Sequence, residues 1–213
     1  MPPSSTALKP RKRPVQSRSA FTVESIRDAC IQVLLAHGAE RLTTTRVAGR
    51  AGVSVGTLYQ YFPNKQSLLL DVLERHLDGV VREVEAACAA TRDADAATIA
   101  ARIVEAFVDA KFRDADTSRA LYAIGSDLGA PALVTRLAQR AQRAVGATLR
   151  TARDRRFEHP EMAAYLLSTS VIGPVQGLLE SGAPAARVAA LRHELVRMAQ
   201  AYLRAAGARP RSA

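Results

Sequence analysis

The sequence predicts an all-α fold, on three observations. Alanine, leucine, arginine and valine dominate, and most of these favour helices; Trp is absent, and Tyr and Phe number five each. The 12 Gly and 10 Pro fall mostly at the edges of segments. Between those edges apolar residues recur every three or four positions, the period of a helix with one buried face. At 213 residues the chain has room for one compact domain or two small ones.

Residues 1–20, MPPSSTALKPRKRPVQSRSA, are rich in Pro, Ser and basic residues and have nothing to bury, so they read as disordered when free. Lys9, Arg11, Lys12, Arg13 and Arg18 make this stretch strongly cationic. It is either an arm that follows phosphates or enters a minor groove, or a solubilising tail. Its place beside the segment described next favours the arm.

The first helix is expected to start at Thr22, a good N-cap, with Phe21 placed to staple onto Ile26. Ile26, Ala29, Cys30, Val33 and Leu34 form its apolar stripe, and Gly38 stops it. The run LTTTRVAGRAGVSVGTLYQYFPNKQSLLL, residues 42–70, then holds three more helix starts. Thr43 opens a helix over residues 44–51 that sets Val47, Ala48 and Ala51 on one face. Gly52 can take a positive φ without steric cost and so makes a tight turn. Ser54 caps a helix from Val55 to about Tyr61, ended by Pro63. Leu58 and Phe62, four apart, pack inward and leave Gly56, Thr57, Tyr59, Gln60 and Tyr61 largely outward. So short a helix must be held by its neighbours. What it presents is a set of small, hydroxyl and amide side chains, which suits a DNA major groove.

A long helix is expected from residue 65 to about 89, with Leu68, Val72, His76 or Leu77, Val80 and Val84 along one face. Its first turn carries unpaired N–H groups and partial positive charge, to which Lys65 adds a full one, so that end suits a phosphate. Five further helices follow over residues 95–114, 117–128, 131–155, 161–181 and 185–206. The stretch 129–131 is a break, whereas Gly173-Pro174 kinks its helix without ending it. The last two helices are apolar on broad faces, with Ala164, Ser168 and Gly177 small enough to admit a close neighbour. They are expected to pair with a second copy, the other possibility being burial within their own subunit.

Charge is unevenly placed. The net value is +10, and residues 1–65 hold 10 Lys and Arg against 3 Asp and Glu, while residues 66–213 hold 20 against 17. A basic excess concentrated beside the short helices is the footprint of a polyanion partner. Cys30 and Cys88 read as small buried hydrophobes, not as a disulfide or metal pair. His37, His76, His159 and His193 have no metal-ligand spacing, and no nucleophile elbow, phosphate-cradling glycine loop or Cys/His pairing is present. No enzyme and no cofactor is therefore expected. No uninterrupted run of ~18 apolar residues occurs, and the N-terminus lacks the apolar stretch of a signal peptide, so no membrane span and a cytoplasmic location are expected.

Thr43, Ala48, Ala51-Gly52-Val53-Ser54, Gly56, Leu58-Tyr59, Tyr61-Phe62, Asn64-Lys65 and Leu68, taken in register, resemble the DNA-binding motif of the TetR family of bacterial transcriptional regulators. The resemblance covers roughly residues 22–75. It implies a three-helix helix-turn-helix DNA-binding domain at residues 21–66, joined by the long helix to a helical effector-binding and dimerisation domain at 67–207, with a tail at 208–213. It implies that Thr43 and Thr44 meet phosphates, and that Thr45 and Arg46 lie on the exposed side, Arg46 reaching a base edge or the backbone. Val55, Gly56, Thr57, Tyr59 and Gln60 match positions that face the major groove, and Tyr59, Tyr61 and Lys65 match phosphate-contacting ones. Gln60 can pair with adenine, and Val55 or the Thr57 methyl can meet a thymine methyl.

The partners so implied are double-stranded DNA bearing a palindromic operator, a second copy forming a homodimer through the last two helices, and an unidentified small-molecule effector. Phe107, Phe112, Tyr122, Asp127, Met162 and Tyr165 are candidates to line the effector pocket, each at least as readable as ordinary core filling. The expected function is a repressor released from its operator by that effector. A ligand-independent basic DNA-binding scaffold is the other reading.

Overall fold

Capping residues and apolar stripes resolve into nine helices among the described residues, 17–125 and 128–209 of a computed structural model. They are α1 (Ser17–Arg41), α2 (Thr44–Ala51), α3 (Val55–Tyr61), α4 (Lys65–Ala90), α5 (Ala96–Phe112), α6 (Ala115–Gly125), α7 (Pro131–Leu149), α8 (Pro160–Glu180) and α9 (Ala185–Ala206). The described residues contain no strand, only an isolated bridge between Arg156 and Ala208. The chain divides into two compact units. Among the described residues, one comprises 17–76 with 116–125 and 128–133; the other comprises 77–115 and 134–209.

In the first unit α1 packs along α2, and α2 against α3. Ile26, Cys30, Leu42, Val47, Leu58, Phe62, Leu68 and Val72 are buried in it, which is the stripe the spacing predicts. The start of α1 differs from expectation. The helix begins at Ser17, Thr22 lies inside it, and Phe21 is 76% exposed, so no staple to Ile26 forms. Ser17 to Ala20 contains neither Pro nor Gly, and extending an existing helix costs little once its nucleus is formed. The basic stretch ahead of Ser17 lies outside the described residues. Near the other end of α1, Gly38 adopts φ 74° and ψ 169°, which breaks the helical path before Arg41.

In the second unit α5 is nearly surrounded, with Ile99, Ala100, Ile103, Val104 and Val108 buried. It packs along α9, which buries Leu195, Ala199 and Leu203, and α8 packs on both. α7 ends at Leu149, six residues before the predicted boundary. The chain beyond it serves the turn that precedes α5. Thr151 Oγ1 accepts from Asp93 N at 3.0 Å, Asp154 Oδ1 from Ala96 N at 2.7 Å, and Ala94 O from Arg153 N at 3.1 Å. These bonds satisfy backbone groups that a longer helix would have left elsewhere. Gly207 closes the same corner. A Cβ there would lie 2.9 Å from Arg155 Cβ, so only glycine admits the paired Arg156 and Ala208 backbones.

α8 passes through Pro174 without ending, as expected. Its 21 residues reach a mean hydropathy of 1.3 over an 18-residue window, long and apolar enough to cross a membrane by length and composition. Ala164 is fully buried, 3.8 Å from where a Cβ on Gly146 of α7 would sit, so it faces its own subunit and not a second copy. Gly177 is exposed.

Lys111 of α5 is 2% exposed, with Nζ 5.9 Å from the centre of the Phe107 ring. Burial pulls its ammonium from the ordinary lysine value of 10.5 down to about 7. Between those two values the unfolded chain binds more protons than the folded one, so stability rises with pH. Lys111→Met should flatten that rise: in urea unfolding at about pH 6 and about pH 9, its gain over wild type should be larger at the lower pH. Equal gains at both would mean that Lys111 does not change protonation on folding.

Candidate nucleic-acid interface

Two caps and one left-handed glycine build the interface. Thr43 Oγ1 accepts from Arg46 N at 3.2 Å and starts α2. Gly52, at φ 69° and ψ 27°, ends it, donating back to the carbonyls of Ala48 and Gly49. Any residue with a Cβ would be strained in that conformation. Ser54 Oγ then accepts from Thr57 N at 3.0 Å, and α3 begins. Pro63 stops α3, and Asn64 caps α4: its Oδ1 accepts from Ser67 N at 2.8 Å while Ser67 Oγ accepts from Asn64 N at 3.3 Å. This reciprocal cap consumes two donors at the N-terminal start of α4.

Leu58 and Phe62 are fully buried and pin α3 inward. The other residues of α3 then turn outward: Gly56, Tyr59 and Gln60 are exposed, and Val55, Thr57 and Tyr61 half-buried. Thr45, Arg46 and Lys65 are exposed, and Thr44 is half-buried. The two helices are tied where they meet, because Thr44 Oγ1 and Tyr59 Oη lie 3.1 Å apart. Arg46 folds back, its Nη1 donating to Arg41 O at 2.9 Å, and Lys65 Nζ donates to Ala39 O at 3.4 Å. Both cations thus rest on carbonyls of the last residues of α1.

One basic residue escaped the sequence reading. Arg50 is exposed on α2, one turn beyond Arg46, with Nε donating to Gln32 Oε1 at 2.5 Å. Its spacing of four from Arg46 was the available signal.

The candidate effector residues belong to both units. Phe107 and Phe112 are half-buried on α5, while Met162 and Tyr165 stand on the open face of α8, 56% and 50% exposed. Tyr122 is on α6 in the other unit, its phenol pushed up to about 12 by burial. Asp127 lies outside the described residues. Among the described residues no His, Cys, Asp and Glu group could hold a metal.

The family profile described as bacterial regulatory proteins, tetR family, matches residues 26–72, and that described as tetracyclin repressor-like, C-terminal domain, matches residues 95–203, just over half the chain. Among curated relatives, the transcriptional activator FasR of Mycolicibacterium smegmatis is 37% identical over 94 residues, 44% of this chain and 42% of that one. The transcriptional repressor KstR of the same species is 38% identical over 65 residues, 30% of this chain and 32% of that one. The chain thus spans less than half the length of either. Among solved structures, a TetR-family regulator from Mesorhizobium loti superposes with a TM-score of 0.73 at 18% identity, covering 91% of this chain and all of that one. SmeT, repressor of the Stenotrophomonas maltophilia multidrug efflux pump SmeDEF, gives 0.64 at 24% identity over 88% of this chain and 92% of that one. With a capped helix-turn-helix at one end and a matching helical domain at the other, the chain belongs to the TetR family of bacterial transcriptional regulators.

Proposed function

We propose that this regulator binds a palindromic operator in the cytoplasm as a homodimer, acts as a repressor, and is released by a small-molecule effector. One observation carries the reading. α3 is held by buried Leu58 and Phe62 and offers a bare glycine, hydroxyls and an amide to solvent, flanked by Thr44, Arg46, Tyr61 and Lys65. A helix so furnished can enter a major groove while its neighbours hold phosphates. A reader of seven residues touches only a few base pairs, so useful affinity requires two readers on a symmetric site. The second copy has a place to dock. Met162, Tyr165 and Leu166 of α8 and Met198 of α9 are large apolar side chains left 39–56% exposed. On this reading Met162 and Tyr165 belong to the subunit contact, and the aromatic rings of α5 remain the candidates for effector contact. KstR and SmeT are named repressors and FasR an activator, so the names alone do not favour one sign.

The first experiment is selection from a random DNA pool at ~150 mM salt, where electrostatic binding alone is weak. A palindromic enriched sequence supports the regulator. No enrichment, with binding that fades as salt rises, would instead favour the ligand-independent scaffold. On the enriched site Gln60→Ala should relax base preference at one position, costing ~1–3 kcal/mol against the preferred base. Lys65→Ala should weaken binding across all sequences and reduce the salt dependence by about one ion. Uniform loss from Gln60→Ala would remove its base-reading role.

A further inference from the structure

Four charged side chains join α1 to the start of α4. Arg27 Nε donates to Asp71 Oδ2 at 2.6 Å and its Nη2 to Asp71 Oδ1 at 3.0 Å, a paired fork. Arg27 Nη1 donates to Glu24 Oε1 at 2.6 Å, and the other oxygen of Glu24 takes Arg75. Glu24 and Arg27 lie about one turn apart on α1, and Asp71 and Arg75 one turn apart on α4, so acid and base alternate across the two helices. The side chains of Arg27 and Asp71 keep 21% and 13% exposure, and those of Arg75 and Glu24 47% and 37%. Burial alone would lower the Arg27 guanidinium pKa, yet the bonds to Asp71 and Glu24 outweigh it and hold it above its ordinary value.

The same helices also bury Ile26, Cys30, Leu68 and Val72 in this unit's core, but apolar burial has no direction. Packed helices accordingly scatter by about 15–20° around their preferred angles. A fork-to-carboxylate pair does have direction. Across about two helix diameters, ~20 Å, a tilt of ~10° carries the far helix by ~3.5 Å, about the axial spacing of successive phosphates on one strand.

We infer that the Asp71–Arg27–Glu24–Arg75 chain sets the angle of the reader on α4, and with it the half-site spacing that the dimer accepts. These are positioning residues, and the inference rests on the palindrome-binding dimer proposed above. To test it, the spacer of the selected palindrome is lengthened and shortened by one and two base pairs. Affinities are measured for full-length wild type, Asp71→Asn and Glu24→Gln, with circular dichroism to confirm folding. A one-base-pair change also turns the half-site by ~35°, so wild type should lose at least ~10-fold and the two variants at least ~3-fold less than wild type, with a lone half-site bound alike by all three. The fourfold inversion Glu24→Arg, Arg27→Glu, Asp71→Arg and Arg75→Glu rebuilds the pairing with reversed sign and should restore discrimination. Variants that keep wild-type discrimination, or that lose affinity equally at every spacing, overturn the lock and leave the regulator intact. Absence of any palindromic site overturns the regulator reading, and the lock with it.

Discussion

Gly56→Leu should abolish operator binding while leaving the protein at least as stable as wild type. The nearest atom to a Cβ at this position is Ser54 Oγ at 3.7 Å, an ordinary contact, so a side chain has space in the free protein. Glycine inside a helix costs ~0.8–1 kcal/mol relative to alanine, so replacing it by leucine should hold or raise the melting temperature. In the proposed complex the balance reverses. A B-form major groove is ~12 Å wide and a helix with its side chains is ~10–12 Å across, which leaves no depth for an isobutyl group between α3 and the base edges. Lifting the helix loses base contacts worth ~1–3 kcal/mol each, so a fall of at least ~100-fold in affinity is expected. Fluorescence anisotropy with the selected operator, alongside thermal unfolding, measures both halves. Wild-type affinity in a folded Gly56→Leu protein would mean that α3 does not enter the groove by this face.

Paired arginines at Tyr165 and Leu166 should convert the protein to a monomer. These residues are 50% and 42% exposed, beside Met162 at 56%, on a helix of membrane-like hydropathy. Burying the exposed half of each such side chain is worth about half of the ~1.5–3 kcal/mol of a full burial, so several together can sustain a dimer, whereas two unpaired guanidiniums there oppose it strongly. Because the substituted positions already face solvent, the single subunit should keep its fold. Sedimentation equilibrium should report one chain in place of two, and operator affinity should fall by at least ~100-fold, since each half-site must then be held alone. An unchanged dimer would move the contact to another surface.

Much of this architecture was legible because local chemistry decides it. Thr43, Gly52, Ser54 and Asn64 each do what their side chains allow with partners no more than four residues away, and the α2, α3 and α4 boundaries follow from them. Leu58 and Phe62 were readable as core from spacing alone, which left the outward set by elimination. What failed was decided by distant partners or by missing obstacles. The end of α7 is set by Thr151, Arg153 and Asp154 serving a turn 58 or so residues earlier, which no window of sequence contains. Thr22 has the chemistry of a cap, but nothing before it stopped the helix from running on to Ser17. Lys111 sits on a periodic helix as a charged residue would on any solvated face; only the packing of α5 reveals that it is buried. The four-residue charge chain was invisible for the same reason, because Arg27 and Asp71 are 44 positions apart.

The packing of α5 along α9 also sets a timetable for the chain as it leaves the ribosome. α1, α2 and α3 meet neighbours in immediate succession, so the reader can consolidate as soon as it emerges. α5 cannot. Its buried face waits for a helix that starts at Ala185, more than seventy residues after Phe112. At about 5–20 residues per second, that leaves α5 without α9 for several seconds of synthesis. A nascent chain stalled in that interval would carry a formed DNA reader beside an uncovered apolar helix. It is at that stage, more than in the finished protein, that chaperones should find this chain.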